Sequence, residues 1–254
     1  MAGHNKWSKI KRQKAATDAK KSKAWARIAR DLMVAAREGG GDPGMNARLV
    51  LAVDKAKAEN MPKDNVERAI KRGTGEIEGA DYEELAYEGY APHGVAVFVD
   101  ALTDNTNRTV ADLRSLFSKA GGNLGTSGSV AFLFDQKGVF EVVAEPEGGP
   151  AVDEDELFLL AADAGAEDLR REGDRFVVTT PVDAFGSVQA ALDAAGVVVD
   201  EAGLHRLATT TKTLSADEAR PVLRLLDAID DHQDVQAVYS TLDLSDEAAA
   251  ALAD

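Results

Sequence analysis

The sequence predicts an α+β protein: an N-terminal three-helix domain followed by two αβ-sandwich (ferredoxin-like) domains, one inserted in the other. Three observations carry that expectation. Apolar residues recur at helical spacing up to about residue 73, with Gly or Pro at each break. From about residue 80, short strand and helix patterns alternate. The stretch 137–202 reads as one complete strand–helix–strand–strand–helix–strand set, and 80–135 with 203–242 would complete each other as a second. A composition of 44% hydrophobic and 29% charged residues is ordinary for a folded chain. The expected division is a basic arm at 1–21, a helical domain at 22–79, an αβ domain at 80–135 plus 203–242, an inserted αβ domain at 136–202, and a tail at 243–254.

In order along the chain, Trp7 and Ile10 are too little apolar surface to hold residues 1–21 against a core, so this arm is expected to be ordered by a partner. A helix begins near Ser22, with Trp25, Ile28, Leu32 and Ala35 or Ala36 on one face and Gly39-Gly40-Gly41 after it. Asn46 caps a second helix that buries Leu49, Val50, Val53 and Ala56. Pro62 opens a third with Val66, Ala69 and Ile70 inward and Gly73 past its end. Strands follow at 85–90 and 95–101, then a helix at 106–120 closed by Gly121-Gly122. Val130–Phe134 reads as a strand, Asp135–Gly138 as a turn, and Val139–Val143 as a further strand. Asp153 and Glu156 have the spacing of a capping box ahead of a helix. Strands at 168–171 and 175–180, a helix at 182–194, and strands at 197–200 and 205–211 complete the middle. A helix at 216–229 and a strand at 235–239 precede an Ala-rich tail expected to fray.

Several function classes fall away. With no cysteine there is no disulfide, thiolate metal site or cysteine nucleophile. There is no apolar run long enough to span a membrane and no apolar leader, so the expected location is the cytoplasm. His4, His93, His205 and His232 show no metal-ligand spacing, and neither a metal nor a cofactor is expected. Gly39–Gly44 matches G-x-G-x-x-G, but it follows a helix and contains Pro43, which points to a helix end. Gly121–Gly128 could cradle a phosphate or serve as a turn. A hydrolase or transferase would need His93, Asp104 and Arg108 to converge, and no motif assembles them. The expectation is a protein with no catalytic residues.

The charge distribution is more telling. The net charge is −15, yet residues 1–73 hold 18 Lys+Arg against 8 Asp+Glu, and the first 30 residues hold ten against Asp18 alone. A solvated surface normally mixes signs, so this asymmetry points to a polyanion, with the acidic remainder facing away from it. The candidate contacts are His4, Lys6, Trp7, Lys9, Lys11, Arg12, Lys14, Lys20, Lys21, Lys23, Arg27 and Arg30, extended by Lys63, Arg68, Lys71 and Arg72 on or beside the third helix. Lysines and arginines would neutralise phosphates, and Trp7 and His4 would stack or hydrogen-bond. No helix presents an obvious set of base-reading side chains, which favours recognition of backbone and shape.

Met1–Ser8, Ala35–Pro43, Asn60–Ile70, Tyr87–Gly94 and Thr103–Thr109 resemble the signature segments of the YebC/PmpR family. The similarity runs along nearly the whole chain and is most specific up to about residue 135. It implies a cytoplasmic three-domain protein of helical and αβ domains. It also implies a DNA-binding regulator of transcription. Mitochondrial relatives act as translational activators, and bacterial members are connected with ribosomes stalled at proline-rich sequences. The alternative it implies is therefore a translation factor binding rRNA or tRNA on the large ribosomal subunit. The acidic, Ala- and Asp-rich C-terminal part departs from the family pattern.

Overall fold

The computed structural model describes residues 18–146 and 149–253. By contacts the chain forms two units, Met1–Leu133 with Ala208–Asp254, and Phe134–Leu207.

The first unit opens with three helices. Helix α1 (Asp18–Gly39) begins before the expected start near Ser22, so Lys20 and Lys21, assigned to the arm, are helical. Ile28, Leu32, Ala35 and Ala36 fall on one of its faces and are buried with Leu49, Ala52 and Ala56 of α2 (Ala47–Ala58) and Ala69 of α3 (Lys63–Gly73). Asn46 joins two of these helices. Its side-chain oxygen accepts from the Leu49 amide at the start of α2, and its Nδ2 donates to the Ala35 and Gly40 carbonyls at the end of α1. Orphan groups at two helix ends are thus satisfied by one side chain. At the end of α3, Gly73 lies so close to α1 that a Cβ there would stand 2.3 Å from the Met33 carbonyl oxygen. Only glycine allows that approach.

A four-stranded sheet follows, in the order β3-β1-β2-β9. Strands β1 (Glu83–Tyr90) and β2 (Ala96–Thr103) pair antiparallel around the Pro92-His93-Gly94 turn, and β9 (Val235–Ser240) pairs antiparallel with β2. The short β3 (Asn123–Leu124) completes it. Helices α4 (Thr106–Lys119) and α7 (Ala216–Asp230) lay Leu113, Phe117, Val222, Leu226 and Ile229 against Val97, Val99, Val235 and Val238. A parallel pair, β8 (Lys212–Leu214) and β10 (Leu242–Leu244), joins this core. The tail expected to fray is helical over its described residues. Ser245 caps helix α8 (Asp246–Ala253), and Ala248, Ala249 and Leu252 pack on the same core.

The second unit has the sheet order β5-β6-β4-β7, the arrangement of a β-α-β-β-α-β sandwich. Its elements are β4 (Phe134–Val143), α5 (Glu154–Asp163), β5 (Asp168–Glu172), β6 (Arg175–Thr180), α6 (Phe185–Ala194) and β7 (Val199–Ala208). Leu157, Ala161, Val188 and Leu192 of the helices and Phe140, Val142, Phe176 and Val178 of the strands are buried. Three local expectations change here. Of the strand expected at Val130–Phe134 only Phe134 is extended, as the first residue of β4, because the amides of Val130 and Ala131 are taken by the Glu88 carboxylate. The turn expected at Asp135–Gly138 is part of β4, where Gly138 pairs with Thr180 and leaves room for the Phe185 ring. The strands expected at 197–200 and 205–211 are one strand, β7. It lies at the sheet edge, where a glycine and charges inside a strand are tolerated. The capping box at Asp153 is half formed: Asp153 accepts from the Asp155 and Glu156 amides, with no reciprocal bond from Glu156.

Candidate nucleic-acid interface

His4, Lys6, Trp7, Lys9, Lys11, Arg12 and Lys14 lie outside the described residues. The remaining basic candidates separate into two groups. Lys23, Arg27 and Arg30 sit four and three residues apart, which places them on one face of α1. That face meets the C-terminal end of α7. Lys23 Nζ donates to the Asp230 carbonyl at 2.7 Å and pairs with the Asp231 carboxylate at 2.8 Å. Arg27 donates to the same carbonyl and pairs with the Asp230 carboxylate at 3.2 Å, and Arg30 donates to the Gln233 carbonyl. A helix C-terminus carries partial negative charge and unsatisfied carbonyls, so three cations are well placed there. Arg30 is buried, and its charge faces this contact rather than solvent.

The segment just past α7 is held from its other side as well. Asp234, 2% exposed, accepts from Arg108 and from the Thr109 hydroxyl of α4, each at 2.8 Å. Burial pushes its carboxyl up, but the bonds from Arg108 and Thr109 and the nearby positive charge outweigh burial and hold it below its ordinary value. The bonds to Asp234 and Asp104 in turn raise the Arg108 guanidinium. The Asp234 amide donates to His232 Nδ1, so the other ring nitrogen carries the proton toward Asp112, 3.2 Å away. One short segment therefore fastens α1 and α4 to α7.

The second group lies on α3. Arg68, Lys71 and Arg72 are exposed and have no hydrogen-bond or ion-pair partner among the described residues. Lys21 is also exposed and unpaired among them, whereas Lys63 stands 3.7 Å from Glu67. Spacings of three and four put Arg68, Lys71 and Arg72 on one face of α3. Beside Arg72, a cleft of about 570 Å³ opens between α1, the end of α3 and the 74–82 segment. Met33, Val34 and Ile77 line it, with Arg37 held at its edge by Asp81 and the Tyr82 carbonyl.

Comparison with known proteins fits this architecture. Residues 5–76 match the family model described as the TACO1/YebC protein N-terminal domain, and residues 82–242 match the TACO1/YebC second and third domain. The chain belongs to the TACO1/YebC family. A relative from Rubrobacter xylanophilus is 52% identical over the full length of both chains, and one from Salinibacter ruber is 53% identical over 96% of this chain and 93% of its own. Each is named "Probable transcriptional regulatory protein". The crystal structure of a conserved hypothetical protein from Aquifex aeolicus is 40% identical, covers 90% of this chain and 93% of its own, and superposes with a TM-score of 0.82.

Other features of this TACO1/YebC chain resolve as structure. The glycine-rich 121–128 segment and the residues after it do surround an anion, but it is the chain's own: buried Glu88 accepts from the amides of Gly128, Val130 and Ala131 at 2.7, 2.6 and 2.8 Å. The sequence carried no signal for this pairing, since Glu88 sits in an ordinary strand pattern. Gly39–Gly44 ends α1, and Asp42 caps the 3-10 turn that follows. His93 lies 4.0 Å from Glu218 at the start of α7, while Arg108 pairs with Asp104 and with Asp234 past its end. Helix α7 has 15 residues, so the two places are on the order of 20 Å apart at about 1.5 Å per residue. The trio that a hydrolase or transferase would need does not converge. Among the described residues no group of His, Cys, Asp or Glu could hold a metal, and no helix could cross a membrane.

Proposed function

We propose that this chain is a regulator of gene expression that binds nucleic acid through its N-terminal helical domain and performs no covalent chemistry, with promoter DNA as the ligand. The observation that carries the reading is the face of α3. Arg68, Lys71 and Arg72 are exposed with no acidic partner among the described residues, in a chain whose net charge is −15 and whose Lys23, Arg27 and Arg30 are engaged at α7. Unpaired, clustered cations of this kind are what phosphate contacts require. They continue the positive charge of the first 30 residues, where Lys6, Lys9, Lys11, Arg12 and Lys14 would add further contacts and Trp7 a stacking surface. The names of the relatives support the regulatory role, and the acidic αβ domains would orient the basic end toward its ligand.

Crosslinking in living cells, followed by sequencing of the recovered nucleic acid, tests the reading. Discrete promoter fragments are expected. Recovery of large-subunit rRNA or tRNA would instead make the chain a translation factor, and recovery of no nucleic acid would remove the reading altogether.

A further inference from the structure

Nothing in a phosphate-binding surface requires a cleft, yet one opens directly beside the unpaired cations of α3. Its volume, about 570 Å³, lies within the range of about 300–1,000 Å³ of sites that take small organic groups. Its construction is specific. Gly73 lets the end of α3 touch the α1 backbone and so forms the floor. Met33, Val34 and Ile77 give apolar walls, and Ile77 is 40% exposed. Arg72 lines the opening, its aliphatic stem lying against Gly79 and its guanidinium unpaired among the described residues. Glu78 on the rim has no partner among them either and can only accept hydrogen bonds, which repels a phosphate but suits an amino or imino group.

We propose that this cleft receives one unstacked nucleobase of a single strand, while the phosphates flanking that base rest on Arg68, Lys71 and Arg72. The inference deepens the nucleic-acid reading and rests on it. A flat aromatic group rests against Met33, Val34 and Ile77 in this open, partly polar cleft, the Arg72 plane stacks on its face, and Glu78 meets a donor on its edge. A base inside a duplex is stacked on both faces and cannot enter, so the cleft discriminates in favour of unpaired strands. RNA loops and melted DNA both supply such bases.

The test uses the full chain and fluorescently labelled oligonucleotides of one sequence, as single-stranded RNA, single-stranded DNA and duplex DNA. In Gly79→Leu, the new side chain fills the cleft at unchanged charge. A Cβ at this position meets the Arg72 stem at an ordinary 3.4–3.6 Å, so the backbone tolerates it. In Arg68→Glu/Lys71→Glu/Arg72→Glu, the phosphate contacts reverse sign. Circular dichroism checks that both variants keep their helices. Loss of one stacked base is worth about 1–3 kcal/mol, so Gly79→Leu is expected to weaken single-strand binding about 5- to 150-fold and leave duplex affinity unchanged. Triple reversal weakens all three probes. An equal loss for single strand and duplex in Gly79→Leu, or no loss at all while triple reversal still abolishes binding, overturns the cleft and spares the functional reading. If the unmodified chain binds none of the probes, the functional reading itself fails. A loss confined to RNA, or one shared with single-stranded DNA, supports the cleft and tells the two sources apart.

Discussion

Asp31 and Asp234 make stability depend on pH in opposite directions. Burial lifts the Asp31 carboxyl above its ordinary value of 3.8, only partly opposed by the charges of Lys55, Arg48, Arg30 and Arg27. The folded chain therefore holds this proton more tightly than the unfolded chain. Stability falls as pH rises from the ordinary value through the raised one, and stays reduced above it. Asp234 is the reverse: its lowered pKa gives stability that is present above the unfolded value and lost as pH falls toward the folded one. At neutral pH, Asp31→Asn should raise the thermal midpoint. Asp234→Asn should cost on the order of 3 kcal/mol by removing the buried negative charge that pairs with Arg108, lowering the midpoint by about 6–12 °C. The Asp31 difference should vanish below about pH 4, while that of Asp234 persists to lower pH. A neutral-pH melt in which Asp31→Asn is the less stable protein contradicts this assignment. Neither behaviour is legible in the sequence, because both depend on what surrounds a carboxylate, and Arg108 and Asp234 are 126 residues apart.

At the scale of elements, α1 has two jobs on two faces. Ile28, Leu32, Ala35 and Ala36 hold it to α2 and α3, and Lys23, Arg27 and Arg30 hold it to the end of α7. Arg27→Ala/Arg30→Ala should therefore leave the three-helix core folded, increase hydrogen exchange at the end of α7, and change nucleic-acid affinity less than threefold. Exchange unchanged from the parent, or affinity lost as completely as after reversal of the α3 charges, would show that these arginines serve the ligand and not the docking. The elements themselves were largely readable. The helical periods, the Asn46 cap and the helix at 216–229 are local features, decided within a few residues. What could not be read locally was the fate of segments whose amides or apolar faces are claimed from far away. Val130 and Ala131 donate to Glu88 and not to a ladder, and Ala248 reaches a core built mostly from residues 91–244.

For the whole molecule, charge segregation sets how binding responds to salt. Positive charge is concentrated in residues 1–73 and the remainder is acidic, so in the proposed function a polyanion is attracted by the former and repelled by the latter. With six to ten phosphate contacts, affinity for a fixed DNA should fall roughly 10³- to 10⁵-fold between 50 and 200 mM salt. Removing the three α3 charges should make that slope shallower by about three contacts. A salt-independent affinity in an anisotropy titration is incompatible with a phosphate-based interface. The sequence by itself determined the α+β class, the order of helices and strands, and the concentration of positive charge at one end, because composition and periodicity are properties of neighbouring residues. Tertiary structure alone decided which of those charges are available. Arg30 and Arg72 look alike in sequence, yet one meets the Gln233 carbonyl, 203 residues away, and the other stands at the mouth of a cleft. The physical reason is that a side chain's exposure and electrostatic partners are set by packing between distant segments, which no local pattern encodes.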